Sequence, residues 1–425
     1  MLLALVWVTS GRLRMGRRIL IIVENLTLPL DRRVWQEATT LRDAGHTVSV
    51  ICPIGGKHTA AYELLDGIHI FRHPLPLEAS GALGYLVEYS SALFWEFWLC
   101  FNVLWKVGFD VMQACNPPDT IFLIGGFFRL FGKPFIFDHH DINPELYEAK
   151  FGKRGFFHKL LTLFERWTFA TADVSIATNA TFKRIAVERG GMNPDRVFIV
   201  RSIPDLKRFR RIEPDVALRK GRKTLLGYVG IMGAQDGVDL LVEAMAHIVH
   251  TLGRTDIQCA VVGSGTELEG LKALVRQRKV EDFVTFTGFR SGDQLLASFS
   301  AFDVGVIPDP KNVYNDKISM NKVFEYMSLG IPFVAFDLDE TRRTAAEAGL
   351  YAADNCPKQL AENLLQLADD RKLNAAMGAF GKARAAAELV WERERTELLS
   401  AYELAFAGRG VAPAAVAVGA PARVA

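Results

Sequence analysis

Lys322 and Glu325 stand three residues apart in the segment NDKISMNKVFEYMSLGIPFVAFDLDE (315–340), a spacing that brings both onto one face of a helix. An ammonium and a carboxylate at a helix start can hold a phosphate and a ribose diol, and the helix dipole adds to the attraction for an anion. Ser319 is read as the cap of this helix. Asn321 and Tyr326 share its first turns, and Lys317 lies just ahead of it. A second cluster, FDHHDINPELYE (137–148), sets His139, His140, Asp141 and Glu145 directly after a strand-like run. Histidine titrates near neutrality and can donate to a developing charge or a sugar hydroxyl. Three glycine turns complete the inventory: GYVGIMGAQDG (227–237) with Gly230 and Gly233, VVGSGTELEG (261–270) with Gly263, and TGFRSGD (287–293) with Gly288 and Phe289. Each lets backbone amides approach an anion or a base. VVGSGTE lacks the third glycine of a dinucleotide fingerprint, but three such turns in one half of the chain favour a nucleotide. In ENLTLPLDRRVWQEA (24–38), Arg32 and Arg33 enter a helix, where they either meet an anionic acceptor or are solvated.

The elements that must position these residues alternate β-branched runs with helical runs, the pattern of α/β domains with parallel sheets. RRILIIV (17–23), HTVSVIC (46–52), FDVMQA (109–114), KPFIFD (133–138), DVSIAT (173–178) and RVFIVR (196–201) read as strands of a first domain, 17–206. A basic stretch with Pro214 reads as a linker over 207–223. A second series of strands and helices fills 224–389. The amphipathic run VWERERTELLSAYELAF places Leu398, Leu399, Tyr402 and Phe406 at helical spacing within a helix over 390–407 that is expected to cross back to the first domain. Residues 1–16 read as a ragged N-terminus, with Met15 as an alternative start, and 408–425 as a disordered Ala/Pro/Val-rich tail. The expected fold is α/β: two doubly wound sheets face one another, with the active site in the cleft at their C-terminal strand edges.

Composition narrows the partners. Of 425 residues, 50% are apolar and 23% charged, which suits a globular chain of two or three domains. A net charge of +2 gives no global argument for a nucleic-acid partner. Five cysteines (Cys52, Cys100, Cys115, Cys259, Cys356) show no C-x-x-C pairing, which argues against a zinc ribbon or a disulfide framework and for a reducing, cytoplasmic compartment.

With these residues in view, the chain resembles the retaining family 4 glycosyltransferases, which have the two-domain GT-B fold. The likeness spans about 17–406, and SMNKVFEYMSLGIP (319–332) is its most specific part. The resemblance implies a nucleotide-sugar donor in the second domain, with Glu325 on the ribose, Gly288 and Phe289 near the base, Gly230 and Gly233 near the diphosphate, and His140 at the family's H-D position. The acceptor would lie in the first domain, toward Arg32, Arg33 and Asp141. The family's E-x7-E pattern would put its first glutamate at position 317, which is Lys317 here, and Ile231 and Asp236 occupy places where relatives carry an arginine and a lysine. Lys322 is expected to supply the missing cation, with Lys317 second. No metal is expected in catalysis: neither the spacing of H-H-D-x-x-x-E nor D-L-D at 337–339 fits a site for this fold.

The segment LGYLVEYSSALFWEFWLCFNVLWK (83–106) is too interrupted by Glu88, Ser91, Glu96 and Asn102 to span a bilayer. It is either core or an interfacial helix. GGFFRLFGK (125–133) and KFGKRGFFHK (150–159) set aromatics beside basic residues, a composition suited to anionic headgroups at the inner face of a plasma membrane. The expected activity is retaining transfer of a hexosyl or N-acetylhexosaminyl group from a nucleotide-sugar donor, UDP-linked, to a glycan or lipid-linked glycan in cell-surface polysaccharide synthesis. A sugar-nucleotide epimerase of the same fold and a non-catalytic GT-B partner subunit stand as alternatives.

Overall fold

The computed structural model describes residues 16–74, 82–206 and 209–408, with the side chains of 82–89 left out. The readings of a ragged N-terminus and a disordered tail fall outside the described residues.

The first domain interleaves β1 (Arg18–Ile22), α1 (Arg32–Asp43), β2 (Thr47–Pro53), β3 (Tyr62–Leu65), β4 (Ile68–His73), α2 (Ala82–Lys106), β5 (Val111–Cys115), α3 (Phe122–Leu130), β6 (Phe135–His139), α4 (Asn143–Phe151), α5 (Phe156–Thr171), β7 (Val174–Ala177), α6 (Ala180–Glu188) and β8 (Val197–Ile199). Its strands lie in the order β3-β4-β2-β1-β5-β6-β7-β8, parallel except for the β3–β4 hairpin. That hairpin is absent from the sequence reading. Its signal is Asp66-Gly67 between two apolar runs, and both residues have positive φ, as a tight hairpin turn requires. Continuous apolar strands are what a sheet covered on both faces demands, and two apolar clusters flank this one, around Phe109, Phe135 and Phe137 on one side and Ile19, Val50 and Ile136 on the other.

The second domain follows with β9 (Thr224–Val229), α7 (Val238–Ala246), β10 (Ile257–Val262), α8 (Leu268–Gln277), β11 (Val284–Gly288), α9 (Gly292–Ala301), β12 (Val304–Ile307), α10 (Asn321–Leu329), β13 (Phe333–Phe336), α11 (Asp339–Ala345), β14 (Gly349–Ala352), α12 (Pro357–Asp369) and α13 (Arg371–Glu388). Its parallel sheet runs β11-β10-β9-β12-β13-β14. β14, another strand the sequence reading omits, is a four-residue edge strand. The last helix, α14 (Trp391–Ala407), leaves the second domain and buries Leu398, Ala401, Tyr402 and Ala405 against the first sheet. Tyr402 donates from there to Gln113 on β5 at 2.5 Å.

Strand order reverses direction beside β1 and β5 in one sheet and beside β9 and β12 in the other. Ligands of open α/β sheets bind at such switch points, so the crevices lie past Ile22, Cys115, Val229 and Ile307.

Candidate active site

The wall contributed by the first domain is made of interlocked charges. Asp138 on β6 is fully buried and accepts from Arg33 at 2.8 Å, His140 Nε2 at 2.8 Å and Gln113 at 3.0 Å. Burial opposes its charge, but Arg33 and His140 outweigh that and hold it below the usual carboxylate range. His140 shows the same balance with the opposite sign: burial disfavours the imidazolium, Asp138 prevails, and its pKa is raised. Glu37, the second acid around Arg33, is pushed up to about 8 by burial and by Asp138. Asn116, just past β5, fixes the loop by accepting from the backbone N–H groups of His140 and Asp141 at 2.8 and 3.2 Å while donating to the Asp141 carbonyl at 2.6 Å. Cys115, Asp138 and His140 lie close enough to hold a metal, but the guanidinium of Arg33 already occupies the cationic place beside Asp138.

Arg33 therefore does not reach an acceptor. Its side chain is 8% exposed and points inward, where Asp138, Glu37 at 3.2 Å and the Val200 carbonyl at 2.7 Å satisfy its fork. The reason is helical geometry: successive residues on α1 diverge by about 100°, so one arginine enters the core while Arg32 faces the cleft.

The opposite wall is built mostly of backbone. Gly230 closes β9, and a Cβ on Gly263 (φ +141°) would lie 1.9 Å from its carbonyl oxygen. Gly263 in turn donates to the Gly288 carbonyl at 3.0 Å, so the three glycine turns stand side by side at the switch-point edge. Tyr228 supports the first turn by donating to the Ile231 carbonyl at 2.5 Å, and the Asp236 carboxylate accepts from Gly233 N–H at 2.9 Å. Asp236 is thus a clamp on its own turn rather than a bare charge facing a ligand; burial raises its pKa to about 6 against the pull of Lys322. Ile231 and Phe289 are exposed, Phe289 beside a shallow hollow of about 380 Å³ with Thr287, Arg290 and Gln294.

α10 starts at Asn321, with Met320 as its cap, because the Ser319 hydroxyl is engaged elsewhere: it accepts from Asn179 at 3.0 Å and donates to Glu340 at 3.2 Å. Asn321 is exposed in the first turn. Tyr326 is not a ligand group: it is 0% exposed and donates to the Gly227 carbonyl at 2.7 Å inside the core. Lys322 is also tied down, paired with Asp309 at 2.6 Å and lying over the Tyr228 ring at 4.7 Å. Burial disfavours its charge, yet Asp309 and Asp236 keep its pKa above the ordinary lysine value. Its charge is answered by protein carboxylates, so it props up the glycine turn from beneath instead of standing free for a phosphate.

The two walls meet through side chains. Arg32 donates to Glu325 at 2.7 Å, Lys317 pairs with Glu145 at 2.9 Å, and the Tyr314 hydroxyl donates to Asp141 at 2.8 Å. Arg189 also grips Glu145, and against the effect of burial Arg189 and Lys317 together lower the pKa of that acid. Arg32 keeps 58% of its side chain exposed, whereas Glu325 keeps 5%.

Two family models cover this arrangement. "Glycosyltransferase Family 4" matches residues 30–208, and "Glycosyl transferases group 1" matches residues 223–370. The chain belongs to the family 4 glycosyltransferases. Among solved structures, this glycosyltransferase is similar to sucrose-phosphate synthase from Thermosynechococcus elongatus (TM-score 0.74, 19% identity, 92% of this chain and 100% of that one). It also resembles Anabaena HepE in complex with UDP and glucose (TM-score 0.66, 14% identity, 91% and 100%). These likenesses establish the GT-B fold. Among sequences, it is similar to the 2-deoxystreptamine glucosyltransferase of Streptomyces kanamyceticus, 25% identical over 71% of this chain and 79% of the relative. A GDP-mannose-dependent monoacylated phosphatidylinositol monomannoside mannosyltransferase of Corynebacterium glutamicum is 30% identical over 37% of this chain and 41% of its own.

Within the glycosyltransferase, the sequence reading missed Asn116, Asp138, Asp309 and Tyr314. Asn116 had a signal in N-P-P-D after a strand, and Asp309 with Tyr314 in the polar loop IPDPKNVYNDK (307–317), but nothing in the sequence tells which residues of that loop reach the other domain.

Proposed function

We propose that this glycosyltransferase moves a hexosyl or N-acetylhexosaminyl group from a UDP-linked donor to a hydroxyl of a glycan or lipid-linked glycan, with retention. The Arg32–Glu325 pair carries the reading: a nearly buried carboxylate in the first turns of α10 meets a half-exposed guanidinium across the cleft. A ribose diol donates well to Glu325. Once displaced, Arg32 becomes the free cation that the departures at Ile231 and Asp236 remove and that Lys322, held by Asp309, does not supply. The UDP-glucose complex of HepE supports a uridine donor; the GDP-mannose-dependent relatives make guanosine the alternative for experiment.

In the transfer, the bond from the anomeric carbon to the diphosphate breaks, the acceptor oxygen bonds to that carbon on the same face, and the acceptor proton passes to the departing diphosphate oxygen. No protein nucleophile and no metal enters this step. The chain positions the reactants, Arg32 offsets charge on the leaving group, and His140, its pKa raised by Asp138 against the effect of burial, donates to the sugar.

The outer face of the first domain supports a peripheral membrane site on an anionic inner leaflet. No helix among the described residues is long and apolar enough to cross a bilayer. Yet α2 turns Glu96 into the core and Phe94, Trp98 and Trp105 outward, and Phe131 and Phe156 are also exposed on the same domain.

Glu325→Gln is expected to weaken UDP-sugar binding by about 1.5–3 kcal/mol, the scale of a hydrogen bond to a charged group, read by calorimetry. Unchanged affinity removes Glu325 from the ribose. Product mass spectrometry with a panel of UDP- and GDP-sugars identifies the donor, and a free sugar formed without any acceptor favours the epimerase.

A further inference from the structure

A second group of ligating side chains, none of them used by the transfer reading, is buried at the C-terminal ends of β1 and β4. Glu24 follows β1, His73 ends β4, and Glu96 projects from the middle of α2; they are 6%, 1% and 0% exposed. One donor atom from each lies within 4.8 Å of the others. Among the described residues, neither oxygen of Glu24, neither oxygen of Glu96, nor Nε2 of His73 has a partner in hydrogen-bond geometry, although the Glu24 and Glu96 carboxyls lie close enough to share a proton. Five orphaned polar atoms at one buried spot need an explanation, because each would otherwise carry its full desolvation penalty.

The arrangement says what is missing. His73 Nδ1 lies 3.2 Å from the Pro74 carbonyl, which can only accept, so the ring proton belongs on Nδ1 and the Nε2 lone pair points into the cluster. A backbone carbonyl behind the imidazole is the usual support for a metal-bound histidine. Nε2 then faces Glu24 Oε2 at 3.3 Å without hydrogen-bond geometry, acceptor against acceptor. That separation repels unless a metal ion or a proton lies between, and it matches the edge of about 3.4 Å of a tetrahedron with arms of about 2.1 Å. Two carboxylates also neutralise a doubly charged ion, whereas two charged carboxylates left alone at a buried spot repel each other.

We propose that Glu24, His73 and Glu96 form a buried site for a divalent cation of the zinc class, with a fourth position for water. The ion would pin α2 to the end of β1 and so brace the loop that carries Arg32. The three ligands are scattered over 73 positions of the chain (24 to 96), so no motif spacing announces them. The proposal is independent of the sugar-transfer reading and of its metal-free step.

The test uses full-length protein, stripped with chelator, reloaded with Zn²⁺ or Co²⁺ alone and desalted. Elemental analysis should find about one ion per chain, and Co²⁺ should show tetrahedral d–d bands without thiolate charge-transfer absorption. The thermal midpoint should rise on adding Zn²⁺. Glu96→Gln and His73→Gln should each lose the retained ion while near-UV circular dichroism stays that of the wild type. If His73→Gln fails to fold, the isosteric Glu96→Gln carries the comparison. Wild-type protein that retains no ion, or retention unchanged in Glu96→Gln, overturns the proposal. Stabilisation of metal-free protein by Glu96→Gln with no metal uptake by the wild type would overturn it in favour of a shared proton.

Discussion

The two domains share one architecture and place their chemistry in opposite materials. In the first, the cleft wall is side chain on side chain: Arg33, Asp138 and Glu37 are buried, His140 is partly so, and they influence one another's charge. In the second, the wall is backbone, three glycine turns whose approach leaves no space for a Cβ at Gly263. A backbone wall suits the part of a donor that is alike in many sugar nucleotides, the diphosphate, because amides bind anions without reading the rest. A charged wall suits the reacting centre, where the position and protonation of one group matter. The exteriors differ too. Trp105 and Phe131 of the first domain are 91% and 66% exposed and stand in sequence next to Lys106 and close to Arg129 and Lys133, and exposed tryptophans are absent from the described exterior of the second.

The largest effect is expected where the charged wall loses its centre. Arg33→Ala leaves Asp138 and Glu37 buried without their counter-ion and should destabilise the protein by about 3–5 kcal/mol, measured by urea denaturation. A loss below about 1 kcal/mol would show that the wall is not interlocked and that Arg33 is available to ligands after all. Next, His140→Ala should lower kcat by about 10²-fold with circular dichroism unchanged, since it removes the donor proposed for the reacting sugar. Full activity would make His140 a structural partner of Asp138 and erase the contrast between the walls. The smallest effect should come from the exterior. Trp105→Ser with Phe131→Ser should reduce flotation with anionic vesicles roughly tenfold while leaving turnover on a soluble acceptor intact. Equal flotation of the variant would leave the outer faces of the two domains alike in function.

Several features were legible without coordinates because they are local. Strand runs such as RRILIIV and KPFIFD announce a sheet buried on both faces, and glycines after strands announce turns that approach a ligand. Glu325 at a helix start, His140 past a strand end, and the covering face of α14 follow from periodicity that the sequence carries on its own. Direction and partnership were not legible. Arg32 and Arg33 are neighbours with identical chemistry, and only the packing of α1 sends one to Glu325 and the other to Asp138. Lys322 and Tyr326 sit on the turns where a ligand was expected, but Asp309 and the Gly227 carbonyl, brought close by the sheet, take them first. The sequence by itself determined the two-domain class and the residue types available to the cleft, because both follow from short-range patterns. The tertiary structure alone decided which charges are free and which are answered, because a buried charge is matched by whatever residue the fold delivers, 4 positions away for Glu37 or 293 for Glu325.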